Sequence, residues 1–417
     1  MKNYFLMFAI LIATTITTQN INAQISPFGG GLGTELFPYE IYTLAHLYEL
    51  SDSIKNSPAY PADNWSKGKY FILMNDIADS LRDPMGRATD NVTYNHRPFQ
   101  GFFDGNNYKI TLAINNYVEI INGNVSSIYY GLFSMTSNAK ISNLIVDGYI
   151  RYTRGLHSTT YSVGAGAIVG LAYDSNEVYN CISYVDITTE RSSLGGIIGR
   201  TDYSPMIKIE NCVNYGNIES TGGYLDHGTI GGIIGIITGT LLSEIINCYN
   251  FGEIKGHTGI GGIIGRSNSS QTTITGCINF GFINGTENNI FISNSVGGIV
   301  GKANGAISNC INLGKITGVN DIGGIAGMTN SNTTITHIIN CLNIADIEGN
   351  DNVGGIVGYR YAIGMNSIID CKNSGYIKGK NNIGGIIGYI NGATITNSIN
   401  TGVIEGEENV GGISGNE

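Results

Sequence analysis

The sequence predicts an all-β protein: a right-handed parallel β-helix, or solenoid, of about nine to ten coils with a small mixed N-terminal cap. Composition, a repeat and the placement of the cysteines predict it. Glycine supplies 60 of 417 residues while charged residues are only 13%, against about 25% in an ordinary domain. The hydrophobic share of 42% excludes disorder, since a disordered chain lacks apolar residues to bury. Such a chain suits many short buried strands joined by tight turns.

The repeat carries more weight. Gly-Gly-Ile-x-Gly begins at Gly195, Gly231, Gly261, Gly297, Gly323, Gly354, Gly384 and Gly411, at spacings of 26 to 36 residues, and an aliphatic residue precedes each copy. Val163 to Gly170 is a degenerate earlier copy. A second unit follows each first one and aligns on Cys181, Cys212, Cys248, Cys277, Cys310, Cys341 and Cys371, with Leu144 in the slot in the first copy and Ser398 in the last. Ile or Val stands three residues before every slot and Ile six residues after it. One such unit cannot bury its own apolar face, but stacked copies bury a continuous column. All seven cysteines therefore share one repeat position, which reads as a column of small buried thiols and not as a disulfide framework. The Ile at −3 and the slot have opposite strand parity. A bend between them resolves this, and Asn precedes most slots: Asn180, Asn211, Asn247, Asn309 and Asn340. Asn tolerates left-handed geometry, and its amides can stack as ladders.

In chain order, residues 1–23 read as a secretory signal: Lys2, an apolar run Tyr4–Ala13, and cleavage after Ala23. The apolar run is shorter than the ~20 residues of a membrane span, and no later segment could cross a bilayer. Residues 24–110 form the cap region. Ile41–Ile54 has helical spacing (Leu44, Leu47, Tyr48) and is expected to close the end of the solenoid. Tyr70–Met74 reads as a strand, and Phe99–Leu112 as a hairpin turning at Asp104-Gly105-Asn106. Residues 111–417 form the solenoid. The chain stops in the first third of a tenth coil, which predicts either a longer protein or end-to-end self-association through unpaired strand edges.

The stretch Lys69–Ile77, then Phe99-Gln100-Gly101-Phe102-Phe103-Asp104-Gly105, then Gly131-Leu132-Phe133, resembles the lead-in of bacterial surface proteins with GLUG-motif repeats. The later Gly-Gly-Ile-Val-Gly and Asn-Cys-x-Asn-x-Gly units resemble the GLUG repeats themselves, over roughly residues 40–415. The resemblance implies an exported, adhesin-like protein, or the non-catalytic part of an immunoglobulin-A-cleaving metallopeptidase. The chain departs from those peptidases: it has no His-Glu-x-x-His, and none of its six His residues is followed by Glu.

The residues themselves carry no catalytic signature. β-Solenoid enzymes acting on polysaccharides need acids converging from adjacent coils. The position before the invariant Ile reads Asp186, Asn217, Glu253, Phe282, Lys315, Asp346, Tyr376 and Val403, so no two adjacent coils both place an acid there. No Cys-x-x-Cys, calcium-binding nonapeptide or phosphate-binding loop occurs, so no metal or cofactor is expected. Thr273/Thr275, Thr334/Thr336 and Thr394/Thr396 read as outward strand residues. The net charge of −10 with scattered basic residues argues against nucleic acid. Binding belongs on the loops that break the period: Arg151–Ser162, Thr221–Thr229 and Thr286–Ser295. Tyr152, Arg154, His157, Tyr224, Asp226 and His227 are the candidate contacts, for a glycan or protein on a host or cell surface. The sequence thus predicts a secreted or surface-bound, non-catalytic scaffold; a carbohydrate-active solenoid enzyme and a fragment of a larger surface protein are the alternatives.

Overall fold

The computed structural model describes residues 27–87, 95–115, 119–121, 124–127, 129–153, 164–190, 193–203, 206–222, 228–239, 242–286, 295–330, 336–361 and 366–416. Within them the chain winds as a parallel β-helix with three walls. One coil shows the plan. Ile264–Ser267 and Thr272–Thr275 lie on the first wall, Ile278–Asn279 and Ile283–Gly285 on the second, and Val296–Gly297 on the third. Each strand pairs in parallel with its counterpart one coil on: Ile274 with Ile307, Ile278 with Ile311, Ile283 with Ile316 and Val296 with Ile322. Because the register is constant, one repeat position becomes one column along the axis. The Ile at −3, the Ile at +6 and the aliphatic residue before Gly-Gly are all buried from coil to coil until the last one. There Val410 and Ile413 are exposed.

The bend before the slot is present in every coil. The residue preceding the slot has φ between 50° and 55° at Asn143, Asn180, Asn211, Asn247, Asn309, Asn340, Asp370 and Asn397, and 67° at Gly276. Asn and Gly tolerate this left-handed geometry best. The corner amides bridge the coils: Asn180 Nδ2 donates to Asn143 Oδ1 at 3.1 Å, Asn211 to Asn180 at 3.2 Å, and Asn340 to Asn309 at 2.7 Å. The turn swings each cysteine inward. All seven are buried and unpaired, and each S–H donates to the carbonyl two residues back at 3.2–3.6 Å. Burial pushes the thiols of Cys181, Cys248 and Cys310 well above their ordinary range, which keeps them neutral.

Two positions beyond the slot lies a second amide column, and this one is buried. Asn214, Asn250, Asn279, Asn312 and Asn343 each donate through Nδ2 to the next coil's Asn Oδ1, at 2.7–2.9 Å, and to the carbonyl two residues on, at 2.8–3.0 Å. Asn373 does the same toward Asn400 at 2.7 Å. The column presses against the glycine box of the facing wall. A Cβ on Gly298 would stand 2.2 Å from the Gly324 carbonyl oxygen and 2.4 Å from Asn312 Cγ. The second glycine of the other boxes from Gly196 to Gly385 meets its own Asn at 2.4–2.7 Å in the same way.

The N-terminal region differs from the expected cap. The helix is there, Leu44–Lys55, with Thr43 as N-cap accepting from the His46 amide, and it buries Leu47, Leu50 and Ile54 in the common core. The strands around it are already rungs. Tyr39–Ile41, Tyr70–Leu73 and Phe102–Asp104 stack in parallel on the first wall ahead of Phe133–Ser142. Ile77–Leu81 and Lys109–Asn115 start the second wall. The hairpin at Phe99–Leu112 is therefore not formed. Asp104-Gly105-Asn106-Asn107 is a corner between two walls, with left-handed Asn106 and Asn107. Aromatic residues fill these first coils in place of Ile: Phe28, Phe71, Phe99 and Phe133 follow one another at centroid distances of 5.8, 5.8 and 4.5 Å. One Thr expectation also fails, because Thr336 is buried; Thr334 lies outside the described residues.

Two outcomes test this packing. Gly298→Ala should destabilise the chain by about 3 kcal/mol through overpacking against backbone and amide, whereas Gly412→Ala, with nothing within 4 Å of its Cβ, should be neutral in the same urea titration. A thiol-reactive dye should label none of the cysteines in the folded chain and all seven after denaturation.

Candidate functional site

Insertions in a solenoid can leave only at its corners, since an extra residue inside a rung would turn every later side chain over. The three enlarged connections all leave at one corner, between the second and third walls. They join Ile145–Tyr152 to Gly164–Gly166, Ile218–Ser220 to Ile230–Gly231, and Ile283–Gly285 to Val296–Gly297. These are the first, third and fifth coils counted from the slot at Leu144. With rungs about 4.8 Å apart, the exits stand about 10 Å from one another in a row. The intervening fourth coil ties the second and third of these exits together. His257 Nδ1 is hydrogen-bonded to Thr286 Oγ1 at 2.9 Å, Thr286 N donates to the Gly256 carbonyl at 2.7 Å, and Thr258 Oγ1 donates to the Gly228 carbonyl at 3.3 Å.

Of the six candidate contacts, Arg154, His157, Tyr224, Asp226 and His227 lie outside the described residues. Tyr152 is described, and it does not face outward. It closes its strand, is 9% exposed and sets its ring 5.3 Å from that of Tyr130. Strand parity explains this: Ile150 points inward, so Tyr152 two residues on does too.

Three features, two on the surface and one buried, were not read from the sequence. The outer face of the second wall is apolar across six coils. Its exposed column is Tyr184, Tyr215, Phe251, Phe280, Leu313 and Ile344, at 38–48% exposure. Ile182, Val213, Tyr249, Ile278, Ile311 and Leu342 form a half-buried column beside it. The aromatic rings stack at centroid distances of 4.9, 4.8 and 4.5 Å, with planes 4–12° apart. The signal was the residue third after each slot, which no search for charge or metal ligands would notice.

The second feature is an open groove of about 480 Å³ in the last coils, lined by Glu348, Lys378, Lys380, Glu405 and Glu407 among others. Lysine holds its acids: Lys315 Nζ lies 2.8 Å from Glu348 Oε1, and Lys378 Nζ lies 2.8 Å from Glu405 Oε1. The Lys378 ammonium and the Tyr376 hydroxyl keep the Glu405 carboxyl below its usual range. A general acid needs the opposite shift. The third feature is a buried cation. Arg360, 2% exposed, borders a cavity of about 10 Å³ shared with Thr329, Thr336 and Ser367, and burial lowers its pKa to about 10, still charged at neutral pH. That volume holds about one water.

Among the described residues no three His, Cys, Asp or Glu side chains converge as metal ligands, and no helix is long and apolar enough to cross a membrane.

The walls and their registers define a parallel β-helix repeat protein. No family profile matches the chain. It is 32% identical over 168 residues to a protein of Evansella cellulosilytica named "Putative Gly-rich membrane protein", an alignment covering 40% of this chain and only 16% of that protein. A crystal structure of a "putative immunoglobulin A1 protease" from Bacteroides ovatus overlays with a TM-score of 0.36 at 16% identity, covering 92% of this chain and 86% of that one.

One carboxyl stands apart. Asp321, 4% exposed inside the third-wall strand Asn320–Gly323 with a left-handed φ of 56°, is pushed up to about 6 by burial, against the opposing effect of Asn352 Nδ2, which donates to it at 2.8 Å. A raised folded-state pKa means that its contribution to stability is fully present below the unfolded value and is lost as pH rises through about 6. Asp321→Asn should therefore exceed the wild type by about 2–3 kcal/mol at pH 8 and lose that advantage by about pH 4. Urea titrations of both proteins at the two pH values check this.

Proposed function

We propose that this chain is an exported, non-catalytic scaffold of the GLUG-repeat kind, which acts at the cell surface or outside the cell and binds glycan or protein through the row of loops on its enlarged coils. The observation that carries this reading is the common exit of the three long connections. The three longest connections from the coil of Leu144 onward share one corner at alternate coils, and the second and third of them are joined through His257, Thr258 and Thr286. A rigid wall that holds several loops on one edge is the usual way a repeat fold builds an extended binding surface. The apolar run behind Lys2 supports export, and the scattered basic residues and net charge of −10 favour a partner other than nucleic acid.

The test replaces residues 154–163, 223–227 and 287–294, singly and together, with a short link like Gly318-Val319, which serves the same corner in the sixth coil. The variants should melt within about 3 °C of the wild type. On arrays of glycans and matrix proteins, the triple variant should lose at least tenfold in affinity for whatever the wild type captures. Capture that survives the triple replacement, or cleavage of a polysaccharide by the wild type, would overturn the reading.

A further inference from the structure

We infer that the apolar outer face of the second wall is a self-association surface, which packs against the same face of a second copy of this chain. Soluble monomers seldom expose contiguous apolar patches beyond about 300–600 Å². The six residues of the exposed column are 38–48% exposed; at roughly 200 Å² for a large side chain, they present about 500 Å². The half-buried column beside them brings the face toward the ~800 Å² per partner that a stable dimer needs. None of the twelve side chains in the two columns is charged. The patch ends at polar or charged residues at both ends of the row: Asp147, which pairs with Lys109 at 3.2 Å, and Lys372 with Ser374.

Ring orientation selects the occupant. Sugars stack on aromatic faces, but here each face covers its neighbour, with planes only 4–12° apart. Solvent meets ring edges, a ridged apolar strip with the period of the rungs. A second copy offers the same period and so can seat ridge into groove along the whole strip.

The rims select the orientation. Beside the exposed column, on the side toward the third wall, stand Asp186, Glu253 and Asp346; beside the half-buried column stands the neutral corner row of Asn180, Asn247 and Asn340. A two-fold axis along the solenoid sets acids against amides, coil for coil. An antiparallel pair would instead bring Asp186 toward Asp346, at a cost in repulsion. The two copies therefore run parallel.

Sedimentation velocity of the full chain from about 1 to 100 µM tests this. The expected species has twice the chain mass of 44.5 kDa. Tyr215→Lys with Phe251→Glu, both at exposed positions and opposite in sign in successive coils, should give a monomer that still melts in one cooperative transition. Phe280→Lys serves as an independent second variant. Asp186→Lys should leave a parallel dimer intact and would tighten an antiparallel one. A wild-type monomer throughout the range, or a dimer that survives both surface variants, would overturn the proposal, and tightening by Asp186→Lys would overturn the parallel arrangement. Ligand capture by the loops is a separate readout, so either idea can fail alone.

Discussion

The coil is so thin at one place that two walls touch through an amide and a bare backbone. On one side stands the buried Asn column, bonded from coil to coil at 2.7–2.9 Å. On the other stands the second glycine of each box, whose Cβ would fall 2.4–2.7 Å from that Asn side chain. Neither half works without the other. A buried amide N–H left unbonded costs about 1–3 kcal/mol; one N–H of each Nδ2 goes to the carbonyl two residues on, and only an unbroken stack supplies an acceptor for the other. That stack in turn leaves no room for a side chain opposite. The chain records the same constraint within itself. In the earlier coils the two facing positions read Leu132 and Val146, then Ala167 and Ser183, and only then Gly196 and Asn214. The box is free of a side chain at this position only where Asn stands opposite.

Other features of the repeat follow. A rung fixed on both sides cannot change length, so the 26 to 36 residue spacing is absorbed between rungs, the largest share in the three long connections from the second wall to the third. The left-handed residue before each slot lets the chain turn without a loop, and it reverses the parity that would otherwise expose the cysteine. A small side chain in the slot then fits beneath the Ile column, and its S–H shares the carbonyl two residues back with the backbone N–H of the preceding coil's corner residue.

What was legible in the sequence is what repeats in apolar or small residues. The Ile columns, the buried thiols and the corner Asn residues could be placed because their period is shared by every coil and their chemistry has one reading. The buried Asn column was as regular, yet Asn reads as a turn residue until the facing wall is known, so its partners across the coil were invisible. The first rungs escaped for another reason. Phe71 and Phe103 stand where later coils carry Ile, in register with each other and with Ile141. The glycine box that marks a coil is missing there. Asp104-Gly105-Asn106 misled because a hairpin and a solenoid corner ask the same left-handed geometry of the same residues; local chemistry cannot tell whether the next strand returns beside the last or climbs to another wall. The outer apolar face was in plain view, but residues on a half-exposed strand look ordinary one coil at a time, and only stacking turns them into a surface.

Stacking also bears on chemistry. Residues at one position in successive coils stand about 4.8 Å apart, where like charges repel and opposite charges attract. The column after the invariant Ile respects this. Glu219 pairs with Lys255 at 2.7 Å, and Glu348, Lys378 and Glu405 alternate in sign down the last coils. Exposed pairs of this kind add little stability, but they keep equal charges apart. Glycoside cleavage asks for two carboxyls about 5–9 Å apart with unequal proton affinities. A column of alternating sign puts lysine where the second acid would stand and holds the first one ionised, as Lys378 does for Glu405. Alternation thus withholds from this column the arrangement an acid-base pair requires, and it leaves unconstrained the corners where the long connections leave and the uncharged outer face of the second wall.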